Sequence, residues 1–411
     1  VIVDEERNAM NDKLRPGTPQ EAGMSPQRVQ HVADLAKGWV EQGVTPALVV
    51  LVARRGVVVL HKAFGRLGPE EDAPPLERDA LFPIASLTKP ITAAAAMILV
   101  EDGLLGLNRP VSWYIPEFVG PGKDSVMVHH LLTHTSGLRD VEAKFFDLNA
   151  FAEKRGSIPP CDETEHPVLH QHLALRYDAP LWKPPGTEMS YCSFGYELVG
   201  EIVRRASGMS LASFCQERIF QPLGMADTAY ILPKSTRHRL VRRVPDAPGA
   251  DMLSVELLEL PLASGGAVST AMDMAVFGQT FLNRGTYGEA RLLCPASVAE
   301  MTRNQIPGIR AEYEGQVFPE ASWGYGWSTR EGKNSVAYAE PLQSQRAFSH
   351  SGLGGVFLWV DPAYDLVGAC FSVLSHGGVP DQVLVPERFG DQELMGRPDL
   401  FVNAVTAAIE D

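Results

Sequence analysis

Cysteine is scarce in this 411-residue chain. The five cysteines, Cys161, Cys192, Cys215, Cys294 and Cys370, are scattered, odd in number and never spaced as a CxxC pair. That excludes a disulfide framework and a cysteine zinc knuckle, and it suits a reducing compartment. Positive charge is short as well: 36 Lys and Arg against 50 Asp and Glu leave a formal net charge of −14. Such a chain is not built to grip nucleic acid or an anionic membrane surface. No apolar run reaches bilayer length, since Ile91–Val100 is too short and Arg54-Arg55 interrupts 47–60. No leader pattern is legible, so the expected location is the cytoplasm, or the periplasm if a leader was removed ahead of Val1. Internal repeats, low-complexity blocks, a Walker loop, a dinucleotide fingerprint and the Gly-x-Ser-x-Gly elbow are also missing.

What remains is a globular chain with one large domain or two that share a core. Residues 1–22 are polar and aperiodic, which predicts an arm. Ser25-Pro26 opens a helix whose face carries Val29, Val32, Leu35, Ala36 and Trp39, and Gly43 ends it. Ala47–Ala53 and Val57–Phe64 flank Arg54-Arg55-Gly56 and predict a hairpin of half-buried strands. A long middle follows, with helices expected over Gly195–Ala206, Leu211–Phe220 and Ala271–Leu282. Strand character returns at Trp323–Thr329, Arg346–Ser351, Val356–Val360 and Leu366–Leu374, and Phe401–Ile409 reads as a closing helix. The expectation is an α/β domain, an antiparallel sheet flanked by helices and formed from both chain ends, with a mostly helical insertion. The boundaries expected are 1–23 for the arm, 24–105 and 320–411 for the α/β domain, and 106–319 for the helical one.

The densest chemistry lies in Ser86-Leu87-Thr88-Lys89, at the entrance of the apolar run Ile91–Val100. Residues three apart share a helix face, so the Lys89 ammonium reaches the Ser86 hydroxyl. A serine becomes a useful nucleophile when a neighbouring base takes its proton, and a desolvated lysine can be that base. Pro90 is tolerated because the first helical N–H groups lack partners anyway. The same helix start offers N–H groups to a developing oxyanion. A capping serine followed by a surface lysine would read the same way in isolation, but here the following helix is apolar nearly all round.

Ser86-Leu87-Thr88-Lys89 resembles the first motif of the serine β-lactamase and penicillin-binding-protein family. Tyr191-Cys192-Ser193 is similar to that family's second motif, Tyr-x-Asn, and His350-Ser351-Gly352 to its third. Leu131–Leu138 and Ala263-Ser264-Gly265-Gly266 resemble further family stretches, and the likeness runs from about residue 24 to residue 409. The resemblance is to the class C β-lactamase-like esterase branch, the family VIII carboxylesterases. It implies an acyl-enzyme on Ser86 with Lys89 and Tyr191 as proton-transfer groups. A phenol beside Lys89 would have its pKa lowered by the cation, and the two would titrate as one unit. The oxyanion hole implied is the N–H of Ser86 and of Leu353, with Gly352 giving close backbone approach and Ser193 and His350 contacting substrate. No cofactor and no metal are implied.

Two departures bear on substrate. Ser193 stands where the pattern has Asn, whose amide would pair with a substrate amide. His350 stands where class C β-lactamases have lysine, and an imidazole is only partly charged near neutral pH. Both point away from efficient β-lactamase action. The expected small-molecule substrates are short-chain carboxylic esters, with D-peptides, β-lactams or a non-water acyl acceptor as alternatives, and a non-catalytic sensor as the reading outside enzymes. His350 is expected to hydrogen-bond Tyr191 or the substrate. His134 reads as a structural hydrogen-bonding residue, and Cys192 as an unactivated thiol. His166, His170 and His172 read as a surface loop rather than a zinc site, and Arg237–Arg243 as a solvated loop. Trp113, Tyr114, Phe145, Phe146, Trp182, Trp323 and Trp327 are candidate acyl-pocket aromatics.

Overall fold

The computed structural model describes residues 13–147, 152–245, 250, 258–313, 316–330, 341–373 and 398–411. Residues 1–12 of the expected arm and Leu374 of the expected last strand lie outside them.

Seven strands form the main sheet. In chain order they are β1 (Arg15–Pro16), β2 (Ala47–Arg54), β3 (Val57–Gly65), β4 (Ser328–Thr329), β5 (Phe348–Gly352), β6 (Val356–Asp361) and β7 (Leu366–Ser372). Their order across the sheet is β1-β3-β2-β7-β6-β5-β4. All neighbours are antiparallel except β1 and β3. The sheet is thus closed by pairing β7, from one end of the chain, with β2, from the other. The expected α/β architecture built from both chain ends is the observed one.

The hairpin turn between β2 and β3 has Arg55 and Gly56 at φ 52° and 72°. Two positive φ values in a two-residue loop match the right-handed twist of the paired strands. β2 is buried along its whole length, not half-buried as expected, because both faces of the sheet are covered. One face takes α1 (Pro26–Glu41) and α5 (Pro398–Thr406), with Trp39 and Phe401 packed edge to face beside Val50 and Trp359. The other face takes α4 (Ala271–Leu282), and α2 (Lys89–Glu101) lies in the same core, packed on the helices beyond. Alternation along β2 sends Val49 and Leu51 to one core and Leu48 and Val50 to the other.

Between α2 and α4 in the chain lies the helix-rich part, whose longest element is α3 (Ser193–Ser207). The helix expected over Leu211–Phe220 is α-helical only to Cys215 and continues as a π turn over Gln216–Phe220. Nor is the arm free from residue 13 on. Arg15–Pro16 joins the sheet edge, and Ala22 and Met24 are buried. Arg54 is also buried, and it binds the carbonyls of Ala22 and Gly23 and the Asp411 carboxylate. Among the described residues no helix is long and apolar enough to cross a membrane.

Candidate active site

Ser86 sits in a 3-10 turn, Ala85–Thr88, that runs directly into α2. Ala85 has φ 43°, a left-handed conformation costing about 1–2 kcal/mol for a residue with a Cβ. α2 is buried on nearly every side, so Lys89 enters the core with no exposed surface. Its Nζ lies 3.0 Å from Ser86 Oγ and donates at 2.9 Å to the Ser264 carbonyl. Burial pulls the Lys89 pKa down to about 8, against the upward pull of Asp140, Glu197 and Cys192. An amine of that kind is partly neutral near pH 7 and able to receive a proton.

Tyr191 follows the short strand Met189–Ser190 and precedes α3, separated from it by Cys192. Its ring packs beneath the ammonium, with Lys89 Nζ 4.7 Å from the centroid. His134 stacks on Tyr191, ring to ring at 4.3 Å, and Trp323 meets Tyr191 edge-on at 5.9 Å. His134 Nδ1 accepts the Cys192 N–H, so burial and the nearby Lys89 hold the imidazole neutral with its proton on Nε2. It is a hydrogen-bonding residue, as its loop suggested. Cys192 is buried and its pKa is pushed well up, first by burial and then by Asp140, so the thiol is not an activated one.

Asp140 was not singled out in the sequence, and it anchors this corner. Its carboxylate accepts the N–H of Ser193 at 2.9 Å and of Phe194 at 2.8 Å. A remote carboxylate thus caps α3, which starts two residues earlier than its apolar pattern suggested. Ser193 is the first helical residue and half-buried beside Tyr191.

β5 brings in the third motif. A Cβ on Gly352 would lie 2.1 Å from the Ile84 carbonyl oxygen, so the strand end abuts the backbone just ahead of the Ser86 turn. Leu353 follows at the tip of the β5–β6 turn, which Gly355 N–H closes onto Gly352. Among the described residues neither the Ser86 nor the Leu353 N–H donates to a protein acceptor. Of the two partners expected for His350, Tyr191 or the substrate, the first is not bonded. The Nδ1 of His350 lies 2.7 Å from the Ser351 carbonyl, and burial with the Lys89 charge pushes its pKa to about 3. The ring is therefore neutral, and it stands 6.4 Å from the Tyr191 ring, centroid to centroid, rather than bonded to the phenol.

Three other readings change. Arg243 is buried, not solvated, and donates at 2.8 Å to the Gly354 carbonyl in the turn that carries Leu353. Arg237 and Arg239 pair with Glu259 and Asp227. The three histidines flank and occupy a helix, Pro167–Ala174, in which His170 is held by Glu165 and the Pro159 carbonyl. Of the seven candidate aromatics, Trp323 meets Tyr191 and His350. Trp327 is fully buried among Phe277, Phe281 and Phe348, while Trp113 and Phe146 are exposed away from that cluster.

The sequence profile of the family described as Beta-lactamase matches residues 32–388. Esterase EstB of Burkholderia gladioli is 30% identical over 337 residues, spanning 77% of this chain and 83% of its own length. A penicillin-binding protein homologue from Caulobacter crescentus superposes with a TM-score of 0.71 at 23% identity, over 94% of this chain and 99% of that one. A family VIII carboxylesterase does so with a TM-score of 0.68 at 23% identity, over 94% and 98%.

Proposed function

The chain belongs to the beta-lactamase family of serine hydrolases, and from that premise we propose that it cleaves small carboxylic esters through an acyl-enzyme on Ser86. One observation carries the proposal: the Lys89 amine lies 3.0 Å from Ser86 Oγ, and its full burial lowers its pKa to about 8. Neutral Lys89 takes the Ser86 proton as Oγ bonds to the ester carbonyl carbon. The oxyanion is received by the N–H groups of Ser86 and Leu353, the alcohol leaves with a proton from Lys89 or Tyr191, and water releases the acid by the reverse relay. Losing one such N–H donor typically costs about 10²–10³ in rate.

Ester rather than β-lactam specificity rests on His350 and Ser193. A neutral, buried His350 offers no cation to a substrate carboxylate, and Ser193 offers a shorter donor than an amide. Esterase EstB, by its name, acts on esters too. The test is steady-state hydrolysis of a p-nitrophenyl ester series and nitrocefin by wild type and Ser86→Ala. Ester turnover well above nitrocefin turnover, lost in Ser86→Ala with the fold retained, supports the reading. Full activity in that variant refutes the mechanism, and dominant nitrocefin cleavage refutes the substrate assignment.

A further inference from the structure

Lys89 does not hold its place alone. One of its two acceptors, the Ser264 carbonyl, belongs to an irregular segment 175 residues away in the chain. The N–H groups of Ala263 and Ser264 both donate to the Glu197 carboxylate, at 3.0 and 2.9 Å. Thr92, one turn along α2 from Lys89, donates to the Ala263 carbonyl at 2.6 Å. Glu197 lies on α3 and is 1% exposed. Among the described residues it makes no ion pair with an arginine. A buried carboxylate without a guanidinium is costly unless other groups satisfy it. Burial raises the Glu197 pKa above the ordinary carboxylate value, and the Ser264 side chain, the two peptide N–H groups and the nearby Lys89 ammonium oppose that rise and hold the anion.

We propose that Glu197 is a positioning residue for Lys89: its carboxylate clamps the Ala263–Ser264 peptide so that the Ser264 carbonyl holds Nζ beside Ser86, and its charge balances the buried ammonium. The proposal rests on the Ser86–Lys89 reading above. Other groups also face Lys89. Asp140 and Cys192 are near enough to raise its pKa, the rings of Tyr191 and Tyr196 lie 4.7 and 5.7 Å from Nζ, and His134 and His350 are neutral neighbours. Tyr230 also feels the Glu197 charge. Of the two carboxylates, Asp140 binds the start of α3, and Glu197 binds the segment that bonds Lys89 directly.

The test compares Glu197→Gln and Glu197→Asp with wild type on p-nitrophenyl acetate, reading kcat, KM, the pH profile of kcat/KM and Tm. Glu197→Gln should lower kcat about 10- to 100-fold, up to the cost of misplacing a reacting group by about 1 Å, with KM nearly unchanged. Removing an anion makes the ammonium easier to deprotonate, so the ascending limb of its pH profile should move to lower pH. Glu197→Asp keeps the charge and should lose rate without moving the limb. Wild-type kcat and an unmoved limb in Glu197→Gln overturn the proposal, as does a loss of rate that follows Tm alone with the limb unmoved. If Glu197→Gln does not fold, Glu197→Asp decides: lowered kcat at wild-type Tm supports the role, and wild-type kcat overturns it. Activity surviving in Ser86→Ala would instead remove the underlying mechanism.

Discussion

Lys89→Met should make the protein more stable and inactive at once. The fall of the Lys89 pKa from the ordinary 10.5 to about 8 measures how strongly the fold resists the ammonium, and it corresponds to about 3 kcal/mol. Methionine is close in length and carries no charge, so that cost disappears. The attraction of Asp140 and Glu197 for the ammonium is already contained in that net fall, and against the gain stands the Ser264 carbonyl, which loses its Lys89 donor at about 1 kcal/mol. The net expectation is about 2 kcal/mol of stabilisation at pH 7. With an unfolding entropy of about 2.1 cal/mol/K per residue over 411 residues, that is a rise of about 2 °C in Tm. The pH dependence fixes the cause. Between about pH 8 and 10.5 the unfolded chain retains a lysine proton that the folded chain has shed, so wild-type stability rises with pH across that window. The variant's advantage should therefore be full below pH 8 and vanish towards pH 10.5. Thermal scans of both proteins from pH 6 to 10, beside ester turnover at pH 8, measure it. A Lys89→Met protein that melts below wild type at pH 7, or whose advantage ignores pH, refutes the argument that burial disfavours the charge.

Tyr191→Phe removes the proposed proton-transfer group while leaving the ring against Lys89 and His134, so kcat should fall by about 10²–10⁴ with Tm within a degree or two of wild type. An unchanged kcat would leave Lys89 as the sole proton carrier. Gly352→Ala places a methyl 2.1 Å from the Ile84 carbonyl oxygen, so β5 must retreat from the Ser86 turn and take Leu353 with it. Ester kcat should drop about 10²-fold with little change in KM, and full activity would show that the Leu353 N–H is not used.

Legibility in the sequence followed the range of the interaction. Ser86 and Lys89 are three residues apart, and their geometry is that of a single helical turn, so their contact was readable. The strands of both chain ends carried alternating or continuous apolar runs, and so did the α1 face with Val29, Val32 and Trp39. Asp140 and Arg243 were not readable in the same way. Asp140 acts on Ser193, 53 residues on, and Arg243 on Gly354, 111 residues on. Such pairings are set by packing rather than by local pattern. Arg243 looked solvated because its neighbours are charged, and only the fold shows it turned inward. The neutrality of His350 likewise comes from burial next to Lys89, which no composition reports. The π turn at Gln216–Phe220 escaped because its apolar residues continue the helical period of the preceding turn.

The pairing of β7 with β2 has a temporal consequence. A ribosome delivers Ser86, Lys89 and β2 early, but β5, β6 and β7 arrive some three hundred residues later. Until then the nucleophile's turn has no strand to close against, and the face of β2 that meets β7 is an open edge. Distant strand pairings are slow to form and expose such edges meanwhile. On the proposed mechanism, a partly made chain lacking β5 has no Leu353 donor beside Ser86 and should not turn over an ester. The first hydrolysis event in a refolding vessel would then mark the moment both ends of the polypeptide have met.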